Sequence, residues 1–444
     1  MKKNNLTIGN LFLITALSML LLGLCFGILA SVSYLLPEFL KTNIGFTSLR
    51  PLHVSSTLFW IIIGATGCVY SGLQMYTKKT LMNKSTIIQW GLWIIAIIGI
   101  FYSYFIHDFG GREYWEFNPI WALPIALAWI ILLVNFINIS VKIKDWPVYI
   151  WMWLTGIIFF LFTFIENYLW VFPYFREHFI TDMTIQWKVN GSLVGSWNQI
   201  LYGTAFFLMD RIENNKTVGR SKLAFAMFFL GLVNLMFNWG HHIYTLPTAN
   251  YIRFIGYAVS MTEWVFFIRI IYTWKQSVSS IQKYYHLYSY KFIMAADLWV
   301  FINMGQAILM SIPAINIYTH GTHITVAHAM GTTIGINSMI LFAACFEFFG
   351  FKGEQSKSIA KQINISFWLL QFSLVIFWLS LNMAGIKKSI WQMSQHQSSY
   401  SKMMETLHPY FATFFIAGIG IMLAFSILAF ILIKYFVVKN RSKN

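Results

Sequence analysis

Four imidazoles are the side chains of this sequence best suited to chemistry: His53, the adjacent pair His241-His242, and His328. Each lies in or beside a long apolar run. An ionisable group inside a bilayer is costly and is usually kept to bind something or to move a charge. Neutral imidazole is the common ligand for haem iron and for a nearby copper or non-haem iron. Successive residues on a helix point about 100° apart, so His241 and His242 reach one metal only if the helix is distorted there. Gly240 and Pro247 flank the pair and supply a cause for such distortion. Taken singly, each histidine has a bland alternative, a hydrogen bond to a neighbouring helix; for four at one depth, ligation explains more.

The elements that position them are apolar helices. The chain is 58% hydrophobic and 10% charged over 444 residues, with a mean hydropathy of +0.62, which belongs to a polytopic membrane protein. A bilayer-spanning helix needs roughly 20 apolar residues. Twelve such runs are read, near 9–37, 51–76, 87–106, 119–141, 147–172, 184–210, 221–247, 252–273, 288–316, 321–349, 363–386 and 408–436. The expected fold is therefore an all-α bundle of about twelve transmembrane helices, a single membrane domain over 1–444. No soluble domain is read at either end, so a redox partner is expected to be a separate chain. The first run is too long for a cleavable leader and is read as a helix.

The connecting segments alternate in charge. Lys78-Lys79, Lys142 to Lys144, Arg211 to Lys222, Lys275 to Lys283, Lys352 to Lys361 and the Lys434–Lys443 tail are basic, whereas Glu38, Asp108, Glu113, Glu116, Glu177, Asp182 and Glu405 occupy the intervening loops. By the positive-inside rule both termini face the cytoplasm. The net charge of +16 is then an orientation signal, and no nucleic-acid partner is expected. This orientation sets depth. Spans two, six and ten enter from the outside, carrying His53, Asn190 and His328, and span seven leaves with His241-His242 in its last turns. Four helices thus bring polar donors to one level in the outer half.

These motifs resemble a known family. Arg50-Pro51-Leu52-His53, Asn238-Trp239-Gly240-His241-His242 and the run from Thr322 to Met330 are similar to the catalytic subunit I of haem-copper oxidases, in the branch of nitric oxide reductases and cbb-type cytochrome c oxidases. Gly111-Arg112-Glu113-Tyr114-Trp115-Glu116 resembles an outer loop of that branch. The resemblance runs through most of the chain in the expected order. It implies that His53 ligates a low-spin haem b, that His328 is the proximal ligand of a high-spin haem b, and that His241 and His242 bind a second metal. It also implies a calcium ion at Glu113 or Glu116, whose alternative is an ordinary solvated loop. A separate cytochrome c or quinol donor, a small membrane partner subunit and a bacterial-type inner membrane complete what it implies.

Two departures bear on the chemistry. The family usually reads His-x-His in span ten; here the second position is Met330. A thioether ligates haem iron and raises its potential, so a His53/Met330 haem is chemically sound, with plain helix filler as the alternative. In span six, matching Trp187, Gly195 and Trp197 without gaps puts Asn190 where the family has a third metal-binding histidine, and Val194 and Asn198 where reductases have glutamates. An amide oxygen is a weak donor, so the second metal has two strong ligands and one poor one.

Reductase and oxidase signals are both present. Glu263, twenty-two residues beyond His241, resembles the span-eight glutamate of reductases. The stretch Val233-Asn234-Leu235-Met236 lacks the tyrosine that cbb-type oxidases place two turns before the pair, while Tyr244-Thr245-Leu246-Pro247 looks more like the oxidase side. The expected function is a nitric-oxide-reductase-like subunit that reduces or dismutates NO, with non-haem iron favoured over copper. A cbb-type oxidase and a non-catalytic haem protein are the alternatives. Glu166 and Lys188 are read as interface or snorkelling residues, Cys25, Cys68 and Cys345 as small apolar fillers, and the cytoplasmic half as lacking a line of acids.

Overall fold

The computed structural model describes residues 6–41, 44–215, 217–260, 264–394 and 398–441. Among these, ten helices are long and apolar enough to cross a membrane. The other two expected spans are also present as helices. Span six is a single helix, Phe179–Glu213, that carries Asp182, Lys188, Asp210, Arg211 and Glu213. Span eight is helical over Asn250–Ser260 and over Trp264–Ser277 among the described residues. The chain is thus an all-α polytopic bundle, with one small antiparallel hairpin between spans three and four, β1 (Phe109–Arg112) and β2 (Trp115–Phe117).

Span two (Phe46–Thr77) packs along span one (Ile8–Val32), span five (Val148–Glu166) along span six, and span eleven (Lys357–Met393) along span twelve (Tyr400–Arg441). Without a hydrophobic drive between helices in lipid, small residues and interhelical hydrogen bonds set such contacts. Trp60 Nε1 of span two donates to Ser338 Oγ of span ten at 2.9 Å, and Asn303 Nδ2 of span nine donates to Thr332 Oγ1 of span ten at 2.7 Å. Spans nine and eleven are tied by Trp299 to Gln371 and by Gln306 to Asn382.

Two spans break their helical period, both near the histidines. Span seven runs as an α-helix only over Lys222–Phe237 and tightens to a 3₁₀ turn over Asn238–Ile243. Span ten is α-helical over His323–Met330, widens to a π-helix over Gly331–Ser338, and resumes over Met339–Phe348. Such widened turns concentrate at functional sites. At the opposite end of span ten, Glu347 is buried among Arg211 (3.1 Å), His286 (2.7 Å) and Lys352 (3.7 Å), which closes that end of the bundle.

Candidate haem and metal site

His53 is held from span one. Its Nδ1 donates to the Gly23 carbonyl at 2.7 Å, which leaves Nε2 as the ring's available donor atom. Metal-ligating histidines characteristically anchor their other nitrogen this way, fixing both tautomer and ring orientation. The ring lies flat against Gly27, where a methyl group would come within 2.6 Å of Nδ1. Glycine is required there because any side chain would push the imidazole aside.

Spans two and ten converge below this ring and part at its level. Span two packs on the π segment and on Met339–Phe348, and the Trp60–Ser338 bond marks the contact. His53 lies seven residues outward of Trp60, and Met330 eight residues outward of Ser338, so the two sit at similar height on facing helices. His328, one half-turn away from Met330, has its Nδ1 buried without a hydrogen-bond partner among the described residues.

The His241-His242 pair occupies the 3₁₀ turn. The expected distortion is therefore present, and the two rings lie close together, tilted by 32° with centroids 4.2 Å apart. Asn316 Nδ2 donates to the His241 carbonyl at 3.3 Å, pinning the turn to the short helix Pro313–Thr319. Span six approaches from the other side. A methyl group at Gly191 would come within 2.6 Å of the His242 ring, so the turn of span six that carries Asn190 packs on the pair, and the Asn198 Oδ1 two turns on is buried without a partner. His320, whose ring lies 5.0 Å from that of Trp187 at a steep tilt, faces the His242 backbone, and burial lowers its pKa below the usual imidazole range. Among the described residues no group of three or more His, Cys, Asp or Glu forms a metal cluster.

Beyond His53 the outer end is dense in polar groups. Arg50 donates to Glu116 at 2.7 Å and to Glu113 at 3.0 Å. Burial raises the Glu116 carboxyl above the usual range, and Arg50 offsets part of that rise. A guanidinium already bridges the two carboxylates, so a calcium ion fits only as a third member of this cluster. Arg112 pairs with both oxygens of Asp182 (2.8 and 2.9 Å) and lies over Trp170. Arg112 Nε, Glu116 Oε2, Tyr168 OH and Trp170 Nε1 are nevertheless buried without partners. Buried polar atoms are normally satisfied, and such a concentration suits the propionates of a haem. The donor sets on both sides of His53 therefore fit the group.

Some expected residues behave differently. Glu166 and Lys188 do not snorkel; they pair with each other between spans five and six, 19% and 17% exposed, with Lys188 over the Trp239 ring. At that depth each charge is better satisfied by the other than by reaching for the headgroups. Glu263 lies outside the described residues. Sequence reasoning missed the π segment, whose only local hint is Gly331-Thr332-Thr333.

Comparison with known proteins accords with this geometry. Residues 7–432 match the family described as Cytochrome C and Quinol oxidase polypeptide I. The chain is 21% identical over 411 residues to cytochrome c oxidase subunit 1 of Rhodobacter capsulatus (86% of this chain, 75% of the relative). It is 23% identical over 402 residues to a nitric oxide reductase subunit of Stutzerimonas stutzeri (82% and 80%), and 21% identical over 430 residues to the Cbb3-type cytochrome c oxidase subunit CcoN1 of the same organism (90% and 88%). A solved heme-copper terminal oxidase dimer superposes with a TM-score of 0.73 at 14% identity, covering 96% of this chain and 84% of that one, a likeness of fold. These relatives are oxidoreductases that differ in substrate by name, and their similar identities do not separate the branches. The chain belongs to the cytochrome c and quinol oxidase polypeptide I family, and is a divergent haem-copper oxidase subunit I homologue.

Proposed function

We propose that this chain is the catalytic subunit of a nitric-oxide-reductase-like enzyme, in which two NO, two electrons and two protons give nitrous oxide and water. The observation that carries this reading is the surroundings of the His241-His242 pair. Oxygen reduction of the cbb type draws on a phenol there for an electron and a proton. Tyr244 stands two residues beyond the pair with Tyr257 beside it, and the Tyr244 hydroxyl donates to the Arg253 carbonyl at 3.2 Å, a bond to backbone. Glu263, close in sequence to the pair, adds the acid that a reductase uses. A haem iron and a second metal, when bound, supply the redox centre at which NO is held and reduced.

Each residue then has a role. His53 and Met330 would hold a low-spin haem b, and His328 would hold the high-spin haem b. His241 and His242, with Asn190 as a weak third donor, would hold the second metal; imidazole suits iron and copper alike, and it is the resemblance to reductases that favours non-haem iron. Arg50 and Arg112 orient the propionates, and Glu113 and Glu116 take calcium only jointly with Arg50. Both termini and the basic loops face the cytoplasm of a bacterial-type inner membrane, with the metal site toward the outer face. A separate cytochrome c or quinol is the electron donor, and the naming of the relatives as subunits favours a small membrane partner.

The test is metal analysis of the purified protein together with its product from NO. Two haems plus a third, non-haem iron per chain and nitrous oxide formed only with reductant are expected. Oxygen released from NO without reductant replaces reduction by dismutation. Copper with oxygen consumption makes it an oxidase, and haem without a second metal makes Asn190 the mark of a lost site.

A further inference from the structure

Lys291 is a cation at the edge of the bilayer with no ion-pair partner among the described residues. It lies on span nine four residues beyond Leu287, about 6 Å along the helix from the basic-loop end at 1.5 Å per residue. Its Nζ donates to Asn364 Oδ1 of span eleven at 2.6 Å. The same atom lies 4.1 Å from the ring centre of Phe367 and 5.6 Å from that of Trp368. An ammonium has further N–H donors beyond the one that the amide takes, and an amide and two rings do not cancel its charge. A lysine that merely snorkels stretches its head toward water; Lys291 instead reaches across to span eleven.

The place where it reaches is a groove. Spans nine and eleven do not pack closely, and long side chains bridge them, Lys291 to Asn364 at this end and Trp299 to Gln371 two turns further in. Phe367 packs edge-on against Phe292, with ring centres 5.2 Å apart and both residues buried, which gives the groove a closed floor. Its sides are apolar and open. Leu298 of span nine is 57% exposed, and Trp368 and Phe372 of span eleven are 49% and 64% exposed. Lys361 stands three residues before Asn364 and seven before Trp368, hence on the same face of span eleven, and is exposed. Two cations and an indole thus stand at headgroup depth, where tryptophan is favoured, above an apolar trough.

We propose that this groove binds one anionic phospholipid, its phosphate between Lys291 and Lys361 and an acyl chain along Trp368, Phe372 and Leu298. The phosphate supplies the negative charge and the acceptors that Lys291 lacks, and lysine binds phosphate as a point charge. A zwitterionic lipid carries the same phosphate but brings its own ammonium, which the two lysines repel. Free phosphate has the charge and nothing to cover the apolar sides. Helix partners in a membrane pack through small residues, whereas the open side chains here are large, which suits an acyl chain better than a second protein. The proposal is independent of which gas the haem site reduces.

The full chain, delipidated in detergent, is titrated with phosphatidylglycerol and with phosphatidylethanolamine of the same acyl chains, and bound lipid per chain is counted by native mass spectrometry. Phosphatidylglycerol is expected to bind first, and about fivefold more weakly to Lys291→Ala, whose optical spectrum matches the wild type; Lys291→Arg should restore most of the loss. Phosphatidylglycerol with brominated chains should quench a share of the tryptophan emission that is missing in Trp368→Phe. Wild-type affinity in Lys291→Ala, equal binding of the two lipids, or brominated-lipid quenching unchanged in Trp368→Phe overturns the proposal. Displacement of the lipid by sodium phosphate makes the site one for a free anion and overturns it as well, as does a co-purifying polypeptide that shields Trp368 from the brominated lipid. If Lys291→Ala does not fold, Lys361→Ala and Trp368→Leu decide: weaker phosphatidylglycerol binding in either supports the groove, and wild-type affinity in both overturns it.

Discussion

His53 and the His241-His242 pair sit at the same end of the bundle but are held differently. His53 rides on an uninterrupted helix, with Nδ1 anchored to the Gly23 carbonyl and the ring seated against Gly27. The pair rides on a 3₁₀ turn at the end of a shortened helix, pinned through the His241 carbonyl by Asn316, and the span facing it brings Gly191 against the His242 ring. One ligand is preorganised by the groups that hold its far nitrogen; the other two bring their rings together and leave the donor set short. The difference implies that haem binding and electron acceptance tolerate little change here, whereas the identity and occupancy of the second metal are the adjustable part.

The sharpest break of this comparison is removal of a haem ligand. His328→Ala is expected to abolish the high-spin haem signature while the low-spin signature persists, and His53→Ala should do the reverse; optical spectra of the purified variants read both. A high-spin spectrum unchanged by His328→Ala would sink the ligand assignment. The next effect tests the seat rather than the ligand. Gly27→Val places a branched side chain where even a methyl group meets the His53 ring at 2.6 Å, so most of the low-spin haem per chain should be lost, with Gly27→Ala milder. Full haem retention in the valine variant would show that the ring is free to move. The third change acts on the incomplete side. Asn190→His supplies the missing imidazole and should tighten retention of the second metal against a chelator by at least about tenfold, measured as metal per chain after dialysis. No change would place Asn190 outside the site.

The same contrast separates what was legible in the sequence from what was not. The spans and their basic-loop alternation were readable because both depend on local composition, and twelve helices follow from them. The distortion at His241-His242 was readable too, because Gly240 and Pro247 sit beside the pair. Pairings between distant segments were not. Glu166 and Lys188 each look like a snorkelling residue until spans five and six bring them together. Glu113 and Glu116 look like a bare acidic loop until Arg50, some sixty residues earlier, bridges them. The π segment of span ten depends on Trp60 reaching Ser338 and Asn303 reaching Thr332, partners that no local pattern announces.

The smallest expected effect concerns Met330, where the preorganised and adjustable parts meet. Trp60–Ser338 ties spans two and ten, and on the proposed reading position 330 would hold the low-spin haem opposite His53. Met330→His should therefore keep the haem and change only its electronics. Imidazole donates more strongly than thioether and stabilises the oxidised iron, so the reduction potential should fall while haem per chain stays constant. A redox titration followed at the low-spin band measures this directly. A potential that does not move would mean that Met330 is not a ligand, and the low-spin haem would then be held by His53 alone. Loss of haem in Met330→His would instead mean that the register permits a thioether but not a ring, placing span ten closer to the macrocycle than the seat of His53 requires.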